Sequence, residues 1–568
     1  MIGFCFAVAV FAADDLGAQA SPYVPLDDIA YQYIDAIMAR GEFRRLSALE
    51  RPYTVGALLS AIDSARARET SARMTDYLDA LEVVIAKYSV RPRSRVKPVR
   101  GDVVCDYLTR SCSSRRQGLW IDPVTIDSSG RVTQLPAPLR DSSERAADSI
   151  VVVEYINLPP DVSFRARGTV NLYATVQTSA RRELMLASDA NSIRPAGTIR
   201  VMMAGGPIAA SIRPIIDTRL NTDIEFTGPR DRYLAGRTED GYVSGQWKYG
   251  ELFFGRAGRN WGPSTLHGLQ LGNYAYTYDH LYGRIGTDKL HFATVVARLD
   301  DFQDAAGVRA QRYFSIHRLA VRHAAWEFAA TESYLYSGAG RGFEPSLINP
   351  FNIYSLSWRN EAQDGNLGLG LEAAFRSRIG TLAAHAFIDD FQIDRCDPNC
   401  EEPSSYGLTL SADGLPIAGD QRWFASYARV SYLAYRTPNL HERYSAFNIG
   451  LGQGFSDFDE VRVGLDLALV PRTPLRLYLA RRRQGEGDYR DPYPAPADYA
   501  TTPSIFGGIV SHITRLGLTV ASRLHDFELA GDVGVNRVSD DAEVRGVSAN
   551  GFQGRIRLAW EPRFSVSF

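Results

Sequence analysis

The sequence predicts a mainly β protein, a transmembrane antiparallel β-barrel preceded by a small N-terminal α-helical domain. Three observations predict it. Residues 551–568 alternate between apolar and polar side chains almost without error and stop on a phenylalanine. Strand-period alternation recurs from about residue 150 onward, and helical periodicity is confined to residues 21 to about 90. Successive strand side chains point to opposite faces. In the closing segment Ile556, Leu558, Trp560, Phe564, Val566 and Phe568 therefore share one face, and Gln553, Arg555, Arg557, Glu561, Arg563, Ser565 and Ser567 share the other. An apolar, aromatic-rich face opposite a charged one suits lipid outside and a polar lumen inside. The ordinary hydrophobic content of 45% fits as well, because lumen-facing polar residues dilute lipid-facing ones along every strand.

At the N-terminus, Ile2 to Ala13 form a short apolar run, and Ala18-Gln19-Ala20 is a small-x-small cleavage site before Ser21. Residues 1–20 are read as a secretory signal peptide, too short to span a bilayer, although no Lys or Arg precedes the run. Residues 21–90 are expected to form a three-helix bundle. Asp27 is the expected cap of a first helix carrying Ile29, Tyr33, Ile34, Ile37 and Met38, with Gly41 as its stop. Thr54 caps a second with Leu58, Leu59 and Ile62. Met74, Tyr77, Leu78, Leu81, Val84, Ile85 and Tyr88 mark the buried stripe of a third.

Residues 91–149 are polar and rich in Arg, Ser and Pro, and read as a linker with some strand content. Cys5 leaves with the signal peptide, so four cysteines remain in two local pairs, Cys105 with Cys112 and Cys396 with Cys400. Close, even spacing suits local disulfides in an oxidising compartment. The rival reading is a zinc site, but no nearby His completes a ligand set.

From residue 150 to 568 the pattern is that of a barrel. Val170, Leu172, Ala174 and Val176 alternate with polar neighbours, as do Leu367, Leu369, Leu371 and Phe375, and Val461, Val463, Leu465, Leu467 and Leu469. At roughly 20 to 25 residues per strand with its share of loop, about 16 to 20 strands fit. Polar stretches 395–420 and 484–503 are expected to be long loops, and Lys248 to Glu251 a short turn.

Several function classes lack support. A formal net charge of −2 gives no electrostatic case for nucleic acid. The nine histidines show no H-E-x-x-H arrangement, and no G-x-S-x-G is present. Gly450 to Gly454 lacks the spacing of a dinucleotide loop. His317 and His323 share a face, with no carboxylate partner evident in the sequence. Of Arg481, Arg482 and Arg483 only alternate members share a face, so a three-arginine clamp is not expected. Neither catalysis, a cofactor nor a metal is expected.

The segments Tyr23-Val24-Pro25-Leu26-Asp27, Ala30-Tyr31 and Arg51-Pro52-Tyr53-Thr54 resemble the N-terminal region of Wzi-type capsule assembly proteins. Gly255-Arg256 followed by Asn260-Trp261-Gly262-Pro263-Ser264 is similar to that family's strand ending in a Trp-Gly-Pro turn, and Asn349-Pro350-Phe351-Asn352 before Trp358-Arg359-Asn360-Glu361 is similar in kind. The terminal aromatic resembles the signal by which insertion machinery recognises outer-membrane barrels. The resemblance implies an outer-membrane barrel of about 18 strands with a periplasmic helical domain. It implies a non-catalytic protein that binds capsular or exopolysaccharide and sits among outer-membrane lipid and lipopolysaccharide. A monomer is expected.

Polysaccharides are held by aromatic faces and by Arg, Asn or Asp bonding hydroxyls and carboxylates. Three constellations are candidates: Arg259, Asn260 and Trp261; Trp358, Arg359 and Asn360; and Tyr489 and Arg490 with Asp491 and Tyr493. The bland alternative for each is a girdle aromatic, a lumen salt bridge or a solvated loop. Gly262-Pro263 is expected to shape a turn. Two other functions share the barrel features: a porin or sugar channel, and an outer-membrane hydrolase with its site at the rim.

Overall fold

The computed structural model describes residues 20–68, 71–90, 103–106, 111–116, 119–126, 132–134, 153–156, 164–178, 192–221, 223, 226–229, 231, 234–303, 307–360, 365–390, 403–562 and 565–567. The expected signal peptide, apart from Ala20, and the pair Cys396 and Cys400 lie outside the described residues.

Three helices form where the apolar stripes place them: α1 (Ala30–Met38), α2 (Val55–Arg66) and α3 (Ala72–Ile85). Thr54 Oγ1 accepts the Ala57 N–H at 3.2 Å at the start of α2, and Ser71 Oγ does the same for Met74 in α3. Gly41, at φ +82°, ends the turn after α1, a conformation that glycine adopts without steric penalty. Asp27 is not the cap of α1. Asp28 Oδ1 takes the Ala30 N–H at 2.8 Å, while Asp27 turns outward to the guanidinium of Arg213 on the barrel wall. A charge partner outcompetes a capping bond there. Ile34, Ile37, Leu58, Ile62, Leu78, Leu81, Val84 and Ile85 are fully buried in one cluster. Each buried aliphatic contributes roughly 1.5–3 kcal/mol.

The stretch read as a linker carries more structure than its polarity suggests. Val103–Asp106, Ser111–Arg116, Leu119–Ile126, Val132–Gln134 and Val153–Ile156 pair into a five-stranded sheet. Its strands are short, and the longest, Leu119–Ile126, does not alternate, so no strand period stands out in the sequence. Cys105 and Cys112 lie directly opposite each other in its first antiparallel pair.

The barrel begins at residue 165 rather than 150. Its strands are β1 (Arg165–Gln177), β2 (Ser192–Gly205), β3 (Ile208–Asp217), β4 (Gly236–Trp247), β5 (Gly250–Arg256) and β6 (Asp279–Gly286). Next come β7 (Leu290–Arg298), β8 (Arg309–His323), β9 (Trp326–Gly338), β10 (Asn366–Ser377), β11 (Gly380–Asp390) and β12 (Ser405–Pro416). The last six are β13 (Arg422–Val430), β14 (Phe458–Leu467), β15 (Leu475–Gln484), β16 (Ser511–Leu524), β17 (Phe527–Ser539) and β18 (Ser548–Trp560), which resumes as Ser565–Ser567 along β1. Consecutive strands pair antiparallel, and Leu172 opposite Trp560 closes the ring of 18. Closure leaves no unpaired strand edge, the condition for β-structure in lipid.

The alternation sets the two faces. Leu172, Ile199, Ile212, Phe254, Leu319, Leu371, Leu477 and Leu516 are exposed outward, whereas Ser244, Arg318, Glu372, His385, Thr409 and Arg515 are buried inside. Outward aromatics gather at one end: Trp326 stacks on Phe328 at 5.5 Å, and Phe527 faces Trp560 across β17 and β18. Short turns such as Lys248-Tyr249 and Ala324-Ala325 lie at that end. The long connections 257–278, 339–365, 431–457 and 485–510 lie at the other. The expected loop 395–420 is corrected: β12 occupies Ser405–Pro416 within it. Its inward residues Gly407, Thr409 and Ser411 made a strand read as polar connection.

The helical domain caps the short-turn end. Arg376 on β10 donates to the carbonyls of Leu46, Glu42 and Phe43 at 2.6–3.1 Å. Tyr33 Oη donates to Arg472 O at 2.8 Å, and Arg322 Nη1 to Arg45 O at 2.6 Å. Lys87 Nζ, 4% exposed, lies 2.8 Å from Asp28 and 2.6 Å from Glu528 on β17.

Candidate functional site

The connection after β5 turns into the barrel instead of outward. Asn260–Trp261 forms a two-residue strand and pairs antiparallel with Glu50–Arg51 of the cap. The pairing continues: Gly262 N–H donates to Leu49 O at 2.9 Å, and Ser264 N–H to Ala48 O at 3.0 Å. Gly262, at φ +132°, passes so close to β11 that a Cβ there would lie 2.8 Å from His385 Nδ1. The Gly-Pro pair thus shapes a turn, as expected.

A second inward loop, 431–457, locks the first. Tyr435 Oη donates to Leu269 O at 2.7 Å and Tyr444 Oη to Gln270 O at 2.9 Å. Gln453 Nε2 donates to His267 O at 2.8 Å. Arg312 on β8 reaches inward to the carbonyls of His441 at 2.7 Å and Ser445 at 2.9 Å. The core they build joins Trp261, Leu269, Leu271, Tyr435, Tyr444 and Leu451 to Phe253, Tyr282, Phe314 and Phe387 from the walls. The lumen is therefore occupied by protein, with the cap and both inward loops meeting inside it.

Glu50 ties this assembly to the wall. It lies 3.0 Å from His291 on β7 and 3.3 Å from Arg318 on β8, and accepts from Tyr282 on β6 at 3.1 Å. Burial favours its neutral form, but His291 and Arg318 outweigh that and hold its carboxyl well below the usual range. Arg318, fully buried, also binds Glu372 at 2.9 Å.

The predicted residues divide accordingly. Arg259, Asn260 and Trp261 are 5%, 3% and 1% exposed. They lie inside the barrel, not on an open strand end. Arg259 stacks over the Tyr282 ring at 3.6 Å, and its Nε donates to His280 Nε2 at 2.9 Å. Asn260 Oδ1 accepts the Gly268 N–H at 2.7 Å. These three hold the inner loop and present no free face to a sugar. Trp358, Arg359 and Asn360 fall on a short helix, Tyr354–Asn360, between β9 and β10, and their side chains lie outside the described residues.

Tyr489 and Arg490 sit on the loop after β15, at the long-loop end. Tyr489 is buried and donates to Asn448 O at 3.2 Å. Arg490 binds its own neighbour Asp488 through Nε at 2.8 Å and Nη2 at 2.6 Å. On the same loop Tyr493 and Tyr499 make an edge-to-face pair at 6.3 Å, both partly exposed. Tyr499 went unremarked in the sequence, where its partner lay six residues away in a proline-rich stretch.

His317 does have a carboxylate partner, Glu332, 3.1 Å away and directly opposite on β9. That pair lies on the outer face, beneath the helix Tyr354–Asn360, whose Tyr354 and Ser355 N–H groups both donate to Glu332 at 2.7 Å. Arg482 points inward over Phe458 at 4.2 Å while Arg483 pairs with Asp459 on the other face, so the arginine run splits as its period requires. Among the described residues no group of three or more His, Cys, Asp or Glu is placed to hold a metal ion. Beside the inner loop a polar cavity of about 260 Å³ remains against β1, β3, β4 and β18.

No protein-family model matches the chain, and no curated protein matches it in sequence. Among solved structures the chain is similar to Wzi of Escherichia coli, described as an outer-membrane protein involved in group 1 capsule assembly and a carbohydrate-binding β-barrel. The TM-score is 0.56 at 10% identity, over 95% of this chain and 99% of that one. OprD and OpdK of Pseudomonas aeruginosa overlay at TM-scores of 0.39 and 0.41, with 10% and 11% identity over 72% of this chain. They cover 96% and 99% of their own chains, a fit too loose to carry an argument. At such identity the likeness to Wzi shows the fold alone, that of an outer-membrane β-barrel.

Proposed function

We propose that this is a non-catalytic outer-membrane protein that binds and organises capsular or exopolysaccharide at the cell surface. In this reading the long loops face outward, the helical cap lies in the periplasm, and outer-membrane lipid and lipopolysaccharide surround the belt. The barrel insertion machinery would handle its assembly, and the protein would act as a monomer. The observation that carries the reading is the occupied lumen. A diffusion porin needs a continuous path, whereas here Glu50–Arg51 and Asn260–Trp261 pair inside the barrel and Tyr435 and Tyr444 brace them. The likeness to a carbohydrate-binding barrel over 95% of this chain adds support.

The mechanism that fits is weak contact repeated along a polymer. Partly exposed aromatics such as Tyr493 and Tyr499 would each hold one sugar face, and tethering through several such contacts retains the chain. Two measurements test this. In planar bilayers the purified protein should stay silent; a steady open conductance would return the porin reading. Surface polysaccharide from the source cells should bind the purified protein, with weaker binding after Tyr493→Ala or Trp358→Ala. No binding by the unmodified protein would sink the proposal.

A further inference from the structure

We propose that the lumenal cavity between the cap and the inner loop is a binding site for a single uncharged sugar unit. It rests on the glycan-binding reading above and names a site within it. The cavity is walled by Tyr173, Gln177, Arg219, Tyr276 and Arg557, with Asp27 of the cap as part of its lining. Its volume of about 260 Å³ is far above the roughly 10–15 Å³ that a single water needs and leaves room for one pyranose ring with its hydroxyls. Gln177, Asp217 and Arg219 stand at the long-loop end of β1 and β3, and Asn273, also in the lining, is exposed to solvent. Entry is therefore from that end.

The decisive group is Gln177. It is 2% exposed, it faces inward at the end of β1, and neither its amide nitrogen nor its oxygen has a partner. Buried polar groups are nearly always hydrogen-bonded, so an unpartnered amide lining a cavity marks a place where something else bonds. An amide offers donors and an acceptor together, which a vicinal diol answers with an acceptor and a donor. On the same inward face the buried Thr175 Oγ1 also lacks a partner.

The charges around it argue for a neutral occupant. Arg219 holds Asp217 at 2.7 Å through Nε, and its backbone N–H donates to the same carboxylate at 2.8 Å. Arg213 holds Asp27 at 2.8 and 3.0 Å, and Arg557 donates to Asp27 O at 3.2 Å. Five carboxylates, Asp27, Asp217, Asp223, Glu239 and Asp240, line the cavity against four arginines, Arg213, Arg219, Arg555 and Arg557, so an acidic sugar would meet an excess of negative charge. Hydroxyls need only meet Gln177 and the edges of the existing bonds.

The test uses full-length protein in detergent and saturation-transfer NMR, with the methyl glycosides of glucose, galactose and mannose as neutral probes and glucuronate as the charged one. At least one neutral glycoside should bind, and Gln177→Leu should weaken it tenfold or more. Ala275→Phe, on the inner loop and outside every strand pairing, should fill the cavity and abolish the signal. Heat-modifiable gel mobility checks that each variant is folded, and if one fails to fold the other carries the test. Absence of neutral-glycoside binding by the unmodified protein, binding untouched by the folded variants, or tighter binding of glucuronate overturns the assignment. Polymer binding is measured on the same preparation. Polymer bound without the glycosides overturns the cavity site alone, whereas glycosides bound without polymer overturn the surface-assembly reading alone.

Discussion

Replacing Glu50 by alanine removes a carboxylate that reaches β6, β7 and β8 at once. His291, Arg318 and Tyr282 lose a shared partner at 3.0, 3.3 and 3.1 Å, while Arg318 keeps Glu372 at 2.9 Å. Breaking a buried ion pair from one side costs about 3–5 kcal/mol, and the retained Glu372 places this case near about 3. That corresponds to roughly 100-fold in the ratio of docked to undocked cap. Hydrogen exchange reads it directly. The N–H groups of Gly262 and Ser264, donated to Leu49 and Ala48 of the cap, should exchange roughly 100-fold faster in Glu50→Ala. The Val24 and Val55 amides, bonded within the cap segment to Tyr53 and Pro22, should keep most of their protection. Glu50→Gln preserves the shape and an acceptor and should fall between. Unchanged exchange at Gly262 and Ser264 in a folded Glu50→Ala barrel would refute the claim that this carboxylate holds cap and loop to the wall.

Three further outcomes are expected. Burial favours the neutral forms of Asp27, Asp28 and Glu50, but Arg213, Lys87, and His291 with Arg318 respectively hold all three below the ordinary carboxylate range. A depressed carboxylate contributes stability that is present above its unfolded value and lost as pH falls through the folded one, so cap protection should be flat from about pH 7 to about pH 5 and fall below about pH 4. Protection factors as strong at pH 3 as at neutrality would contradict this. Lys87→Met should strip Asp28 of its cation while Glu528 keeps Arg523 at 2.7 Å, at a cost near about 3 kcal/mol, read as a lower melting temperature of the cap that Asp28→Asn partly restores. Cys105 and Cys112 lie opposite in an antiparallel pair, where Cα atoms are about 4.5–5.5 Å apart and within disulfide reach; alkylation without reductant should leave both unlabelled, and labelling of either would remove the bond.

The strands were legible because lipid outside and charge inside impose a period of two, which Leu172 and Val176 or Ile556 and Leu558 display without help from tertiary context. The cap was legible for the same kind of reason: α2 follows from Thr54 and a stripe through Leu58 and Ile62. What the local pattern could not carry was pairing at a distance. Trp261 read as a strand-end aromatic offered to a sugar, yet its burial depends on Glu50, more than two hundred residues earlier in the chain. Glu332 is invisible as the partner of His317 until β8 and β9 are in register. β12 read as loop because Gly407, Thr409 and Ser411 point into a lumen filled by residues elsewhere. Gln177 had no signal at all, since an unpartnered amide is recognisable only after every neighbour has been placed.

The capping arrangement also orders events in time. Lys87 meets Glu528 across 441 residues, Tyr33 meets Arg472 across 439, and Asp27 meets Arg557 across 530. Contacts of such separation form late, after the loops between them have closed. The three cap helices precede every barrel strand in the chain, so they are synthesised first and find their final partners last. Their core is largely their own, with Met202, Ala204, Ala209, Ala521 and Ala530 of the wall joining it. A bundle that buries its own apolar faces can persist beside an unfinished barrel without exposing them, and is ready to close the ring's short-turn end once β18 has met β1.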